Sequence, residues 1–75
     1  MKDNIIKIIK KISDCDKKTI ENSKDFLKDG ILDSFSTLIL LNEIEKEYNL
    51  NLKFNDNLLT YLKNIESISK LLENN

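Results

Sequence analysis

No histidine and no proline occur in this chain, and it holds one glycine and one cysteine. Each shortage excludes something. Without histidine, no side chain has an ordinary pKa suited to proton transfer near neutral pH, and the commonest activator of a thiol or hydroxyl nucleophile is missing. A single glycine cannot build a glycine-rich phosphate loop. A lone cysteine forms no internal disulfide, and no Cys/His cluster has zinc-ligand spacing. Cys15 stands between Asp14 and Asp16 in a polar stretch. It reads as an incidental free thiol, which suits a reducing cytoplasm. No apolar run approaches the roughly 20 residues of a membrane span, so no membrane insertion is expected. The opening MKDNIIKIIKKIS does not read as a signal peptide, because Lys7, Lys10 and Lys11 interrupt its isoleucines. Asp29 and Asp33 form the one candidate carboxylate pair, and a surface pair on a loop reads as solvated. Catalysis by the chain itself is not expected, since so small a domain cannot enclose a substrate and exclude water.

What remains is a helix-former's composition. The 75 residues are 40% hydrophobic and 33% charged, with a formal net charge of −1. Length and the lack of internal repeats predict a single domain over residues 1–75. At this size folding buries only about 60–65% of the unfolded chain's surface, so the core must be compact. The absence of proline favours uninterrupted helices. Charge is unevenly placed. Residues 1–28 carry eight Lys against five acids, a balance of +3. Residues 29–48 carry Asp29, Asp33, Glu43, Glu45 and Glu47 against Lys46, a balance of −4. The acidic middle would attract a basic partner, whereas the N-terminal excess is too small and too interleaved to predict nucleic-acid binding.

Helical periodicity organises the chain. Ile5, Ile8, Ile9 and Ile12 follow i, i+3, i+4, i+7 and predict an inward-facing helix over residues 3–12, with Asp3 or Asn4 as cap. Residues 13–30 are polar and read as a long loop with a helical turn near 17–22, pinned to the core by Phe26 and Leu27. A loop this long in so small a domain is often functional. Gly30 can adopt positive φ and so turn the chain sharply into the next element. A second helix is expected over 34–48, capped by Asp33 or Ser34. Leu50, Leu52 and Phe54 predict an extended link. A short helix over 56–62 would hold Leu58, Leu59 and Leu62. Asn64 would cap a last helix over 65–73, with Ile65, Ile68, Leu71 and Leu72 inward. The expected architecture is all-α: a small four-helix bundle of three main helices and one short one, with a long loop between the first two.

The second helix, SFSTLILLNEIEKEY, carries more apolar surface than one stripe needs. Thr37, Leu40, Leu41, Ile44 and Tyr48 form a core stripe. Phe35, Leu38 and Ile39 fall on another face. Either the bundle wraps this end fully, or these three stay exposed as a docking patch rimmed by acids. Periodicity favours neither. The patch begins immediately after Ser34, whose hydroxyl would sit at a helix start. Free N–H groups and the helix dipole there favour an attached phosphate.

The stretch DGILDSFSTLILLNEIEKEYNL resembles the signature of phosphopantetheine-dependent carrier proteins: acyl carrier proteins, peptidyl carrier domains and D-alanyl carrier proteins. Gly30, Asp33 and Ser34 match the Gly-x-x-Asp-Ser core of that motif, and Phe35 fills the apolar place that follows. IIKIIKKI resembles the family's first helix, and IESISKLLEN its last.

The resemblance implies a substrate shuttle with no activity of its own. A separate phosphopantetheinyl transferase, using Mg²⁺, would join 4′-phosphopantetheine from coenzyme A to the Ser34 hydroxyl, with Asp33 helping to position the reaction. Acyl or aminoacyl groups would ride on the arm's thiol as thioesters, loaded by a ligase and passed to an acyltransferase or synthase. Phe35, Leu38, Ile39 and Asn42 would touch those partners, and Glu43, Glu45 and Glu47 would meet their basic residues. The chain would act as a cytoplasmic monomer. Many fatty-acid carriers are strongly acidic and often have an acid where Ile39 stands. The nearly neutral charge and Ile39 therefore speak against a housekeeping fatty-acid role, and the wording GILDSF leans toward a D-alanyl-type or specialised carrier. The competing reading is a small helical interaction module that uses the Phe35/Leu38/Ile39 patch without a cofactor.

Overall fold

Five helices follow one another: α1 (Lys2–Ser13), α2 (Lys17–Asn22), α3 (Ser34–Tyr48), α4 (Asp56–Tyr61) and α5 (Ile65–Glu73). A computed structural model describes residues 2–52 and 56–74, with side chains described for all of these except 56 and 57. Among the described residues no strand forms. The three main helices are the expected ones, and α4 is the expected short one. The fifth is the helical turn near 17–22, which exists because local chemistry and packing agree. Asp16 accepts a hydrogen bond from the Thr19 N–H at 2.7 Å, and Ile20 is fully buried.

The central element is α1, which packs against α2, α3 and α5, while α4 packs on α5. Ile5, Ile9, Ile20, Phe26, Leu40, Ile44 and Ile68 are wholly removed from water at the centre. Two expectations for α1 are corrected. It starts at Lys2, so Asp3 lies in the first turn, where it complements the positive end of the helix dipole instead of capping it. Ile6 is buried with Ile5 and Ile9, while Ile8 and Ile12 are only partly covered. A helix with three neighbours buries a wider and differently centred arc than a single i, i+3, i+4 stripe.

Other expectations hold. In α5 the Asn64 side chain accepts the Ser67 N–H at 2.8 Å, and Ser67 Oγ accepts the Asn64 N–H at 3.3 Å, a reciprocal capping box. Ile65, Ile68 and Leu72 are buried, as are Leu58 and Leu62, whereas Leu71 and Leu59, also expected inward, are only half-buried. Asn49 ends α3 in the left-handed region at φ 53, a conformation Asn tolerates better than most residues. Leu50 and Leu52 pack against the core, while Phe54 lies outside the described residues.

The stretch between α2 and α3 is held by main-chain hydrogen bonds. Phe26, fully buried, donates its N–H to the Lys63 carbonyl at 2.7 Å. Its own carbonyl accepts the N–H groups of Ile31 at 2.9 Å and Leu32 at 3.2 Å. The Asn64 side-chain amide donates to the Lys24 carbonyl at 2.9 Å. Gly30 turns the chain with φ 75. Phe26 anchors this loop together with Ile31 and Leu32, which are also buried. Leu27, expected to share that role, is instead 46% exposed.

Candidate functional site: an exposed serine at the start of a helix

The site is built by the turn that delivers the chain into α3. Ile31 and Leu32 are buried, and the next three residues emerge into water. Asp33 is the N-cap: its Oδ1 accepts the Ser36 N–H at 2.7 Å. Its carbonyl accepts the Thr37 N–H at 2.9 Å and the Thr37 hydroxyl at 2.8 Å. Thr37 is buried, and that last bond satisfies its hydroxyl inside the core. Asp33 therefore orients the whole first turn. The Ser36 main-chain N–H, followed by the Ser36 hydroxyl, holds its carboxyl below the usual carboxylate range. A carboxylate so held stays ionised at neutral pH and is a weak base.

Ser34 is the first residue of α3 and is exposed. Its position ahead of the intrahelical hydrogen-bond ladder gives its surroundings N–H donors and the positive end of the helix dipole. Phe35, next to it, is 71% exposed, and Leu38 is 44% exposed. The two readings of the surplus apolar face are thereby separated: Thr37, Leu40, Leu41 and Ile44 enter the core, and Phe35 and Leu38 remain in water. Ile39 is half-buried between those faces. Asn42 and Glu47 are exposed, and Glu43 is half-buried. Glu45 is half-buried and partly committed within the fold, since its Oε2 accepts the Leu52 N–H at 2.8 Å.

One neighbour of the serine escaped the sequence analysis. Leu27 lines a cleft together with Gly30 and Ser34, although it was expected to serve as a core pin. No local signal separates it from Phe26, since both are apolar residues in the same polar stretch. No group of His, Cys, Asp and Glu among the described residues could hold a metal ion, and no described helix is long and apolar enough to cross a membrane.

These residues fit a phosphate-linked group. An exposed hydroxyl supplies the oxygen for a phosphodiester, and the helix start supplies a favourable field for its negative charge. In comparison with known proteins, the family model described as the phosphopantetheine attachment site matches residues 3–72. No curated protein and no solved structure matches significantly. Carrier domains of this family are generally non-catalytic and are served by phosphopantetheinyl transferases and synthetic enzymes. The match covers nearly the whole chain, including the capped helix and the turn before it, and the chain belongs to the phosphopantetheine attachment site family: it is a carrier protein for covalent 4′-phosphopantetheine.

Proposed function

We propose that Ser34 is the residue that carries the arm, and that the loaded chain shuttles acyl or aminoacyl groups as thioesters between enzymes. The observation that carries this reading is the exposed Ser34 hydroxyl at the first position of α3, beside a phenylalanine that is 71% exposed. The Ser34 oxygen attacks the phosphorus of coenzyme A that bears pantetheine. A new O–P bond forms, the pyrophosphate bond breaks, and adenosine 3′,5′-bisphosphate leaves. The serine proton goes to a base on the transferase. Asp33 is a poor candidate for that base, because its carboxyl is held low and committed to the helix cap. Its role is to fix the serine's position and present negative charge to the transferase and its Mg²⁺.

Partners grip the surface around the serine. Phe35 and Leu38 supply the apolar contact, with Ile39 and Asn42 beside them. Glu43, Glu47 and the remaining oxygen of Glu45 form an acidic rim that sets encounter rate and partner choice. A ligase loads the thiol, and an acyltransferase or synthase unloads it. The nearly neutral charge and Ile39 speak against a housekeeping fatty-acid role, and the wording GILDSF leans toward a D-alanyl-type or otherwise specialised carrier, working as a cytoplasmic monomer.

Intact mass after co-expression with a promiscuous phosphopantetheinyl transferase tests this. The wild type gains one phosphopantetheine and Ser34→Ala gains none. A wild type left unmodified while a control carrier is converted would leave only the cofactor-free interaction module.

A further inference from the structure

A cleft of about 540 Å³ opens beside Ser34. Its walls come from the end of α1 (Ile12 and Ser13), from the turn carrying Leu27 and Gly30, and from Ser34 and Ser36 in the first turn of α3. Neither Phe35 nor Leu38 lines it. The proposed partner patch and this cleft are therefore two separate neighbours of the same serine.

Three features suit the cleft to a small amphipathic chain. Leu27 is an apolar wall left 46% exposed, although its neighbour Phe26 is wholly buried. Gly30 borders open space, with no atom within 4 Å of where its Cβ would stand, and its φ of 75 disfavours any side chain there. The Ser13 hydroxyl donates to the Ile9 carbonyl at 2.8 Å and accepts the Cys15 N–H at 3.3 Å. A hydroxyl has one donor and two acceptor sites, so one acceptor remains for a ligand N–H.

We propose that this cleft is the resting place of the chain's own pantetheine arm, an inference that rests on Ser34 being the attachment point. The occupant follows from continuity, because a group bonded to Ser34 begins at the cleft's rim. Its chemistry also matches. Pantetheine carries two methyl groups on one carbon near the phosphate and two amides beyond it. The methyl groups pack on Leu27, and an amide N–H meets the free acceptor of Ser13. The arm rests on the α1 side and leaves Phe35 and Leu38 uncovered for the partner that will draw it out.

The test uses the full chain, loaded by a phosphopantetheinyl transferase and checked by intact mass, with ¹H–¹⁵N spectra before and after loading. Shift changes are expected at Ile12, Ser13, Leu27 and Gly30 as well as around Ser34, with Overhauser contacts from the arm's methyl groups to Leu27. Leu27→Ser abolishes those contacts while the chain stays folded and fully loaded, and Leu27→Met retains them. A loaded wild type whose changes stay within residues 33–36, with no contact to Leu27, overturns the cleft alone. A wild type that gains no mass overturns the attachment reading and this one with it.

Discussion

The Phe26 main-chain N–H donates to the Lys63 carbonyl at 2.7 Å, which ties the loop ahead of Ser34 to the junction between α4 and α5. The same residue's carbonyl holds Ile31 and Leu32, the two residues before Asp33 and Ser34. The exposed serine is thus positioned by a buried residue eight places earlier. A core of this size supplies only about 3–5 kcal/mol. Truncating a buried phenylalanine removes about 3–5 kcal/mol. Phe26→Ala is expected to leave the chain largely unfolded at room temperature, as read by circular dichroism. A cooperative transition of near wild-type midpoint would contradict this role.

Phe35 makes the opposite prediction. At 71% exposure its side chain contributes little to folding. Phe35→Ser should change stability by no more than about 0.5 kcal/mol. As an anchor for partners it should matter more: kcat/KM for modification by the transferase is expected to fall about tenfold, equivalent to about 1.4 kcal/mol. An unchanged rate would remove Phe35 from the contact surface.

The α1 helix offers a direct comparison of wheel and structure. Periodicity places Ile8 inward and leaves Ile6 aside, whereas the fold buries Ile6 and leaves Ile8 partly exposed. Ile6→Ala should cost about 2–4 kcal/mol, and Ile8→Ala distinctly less. Urea denaturation of the two variants decides it.

Ser69 is buried on α5, and its hydroxyl finds no hydrogen-bond partner among the described residues. A buried hydroxyl left unpaired costs about 1–3 kcal/mol in lost hydration. Ser69→Ala removes that penalty with little change in volume and should raise stability by about 1 kcal/mol. A loss of stability would mean that the hydroxyl is satisfied in solution.

Asp33 links stability to pH. Its folded pKa lies below the ordinary value because the Ser36 N–H and hydroxyl favour the ionised form. A depressed pKa contributes stability that is fully present above the unfolded value of about 3.9 and is lost as pH falls through the lower folded value. Asp33→Asn keeps a capping side chain but removes the titration. Its loss of stability below about pH 4 should be shallower than the wild type's. Some acid dependence should persist, since Asp16 is lowered in the same way by Thr19. Identical acid limbs in melting experiments would refute the coupling.

The sequence by itself determined the helices and the motif at the start of α3. Capping by Asp33 and Asn64 and the stripe Leu40/Leu41/Ile44 depend on residues three or four places apart, and the turn at Gly30 on one residue's own freedom, so all are written in local order. Tertiary structure alone decided which apolar residues meet water. Phe26 and Leu27 look alike on a list, yet the fold buries the first and leaves the second exposed, and the surplus face of α3 could be wrapped or bare until the fold leaves Phe35 and Leu38 in water. Burial depends on neighbours brought together from distant parts of the chain, and no local spacing encodes where those neighbours end.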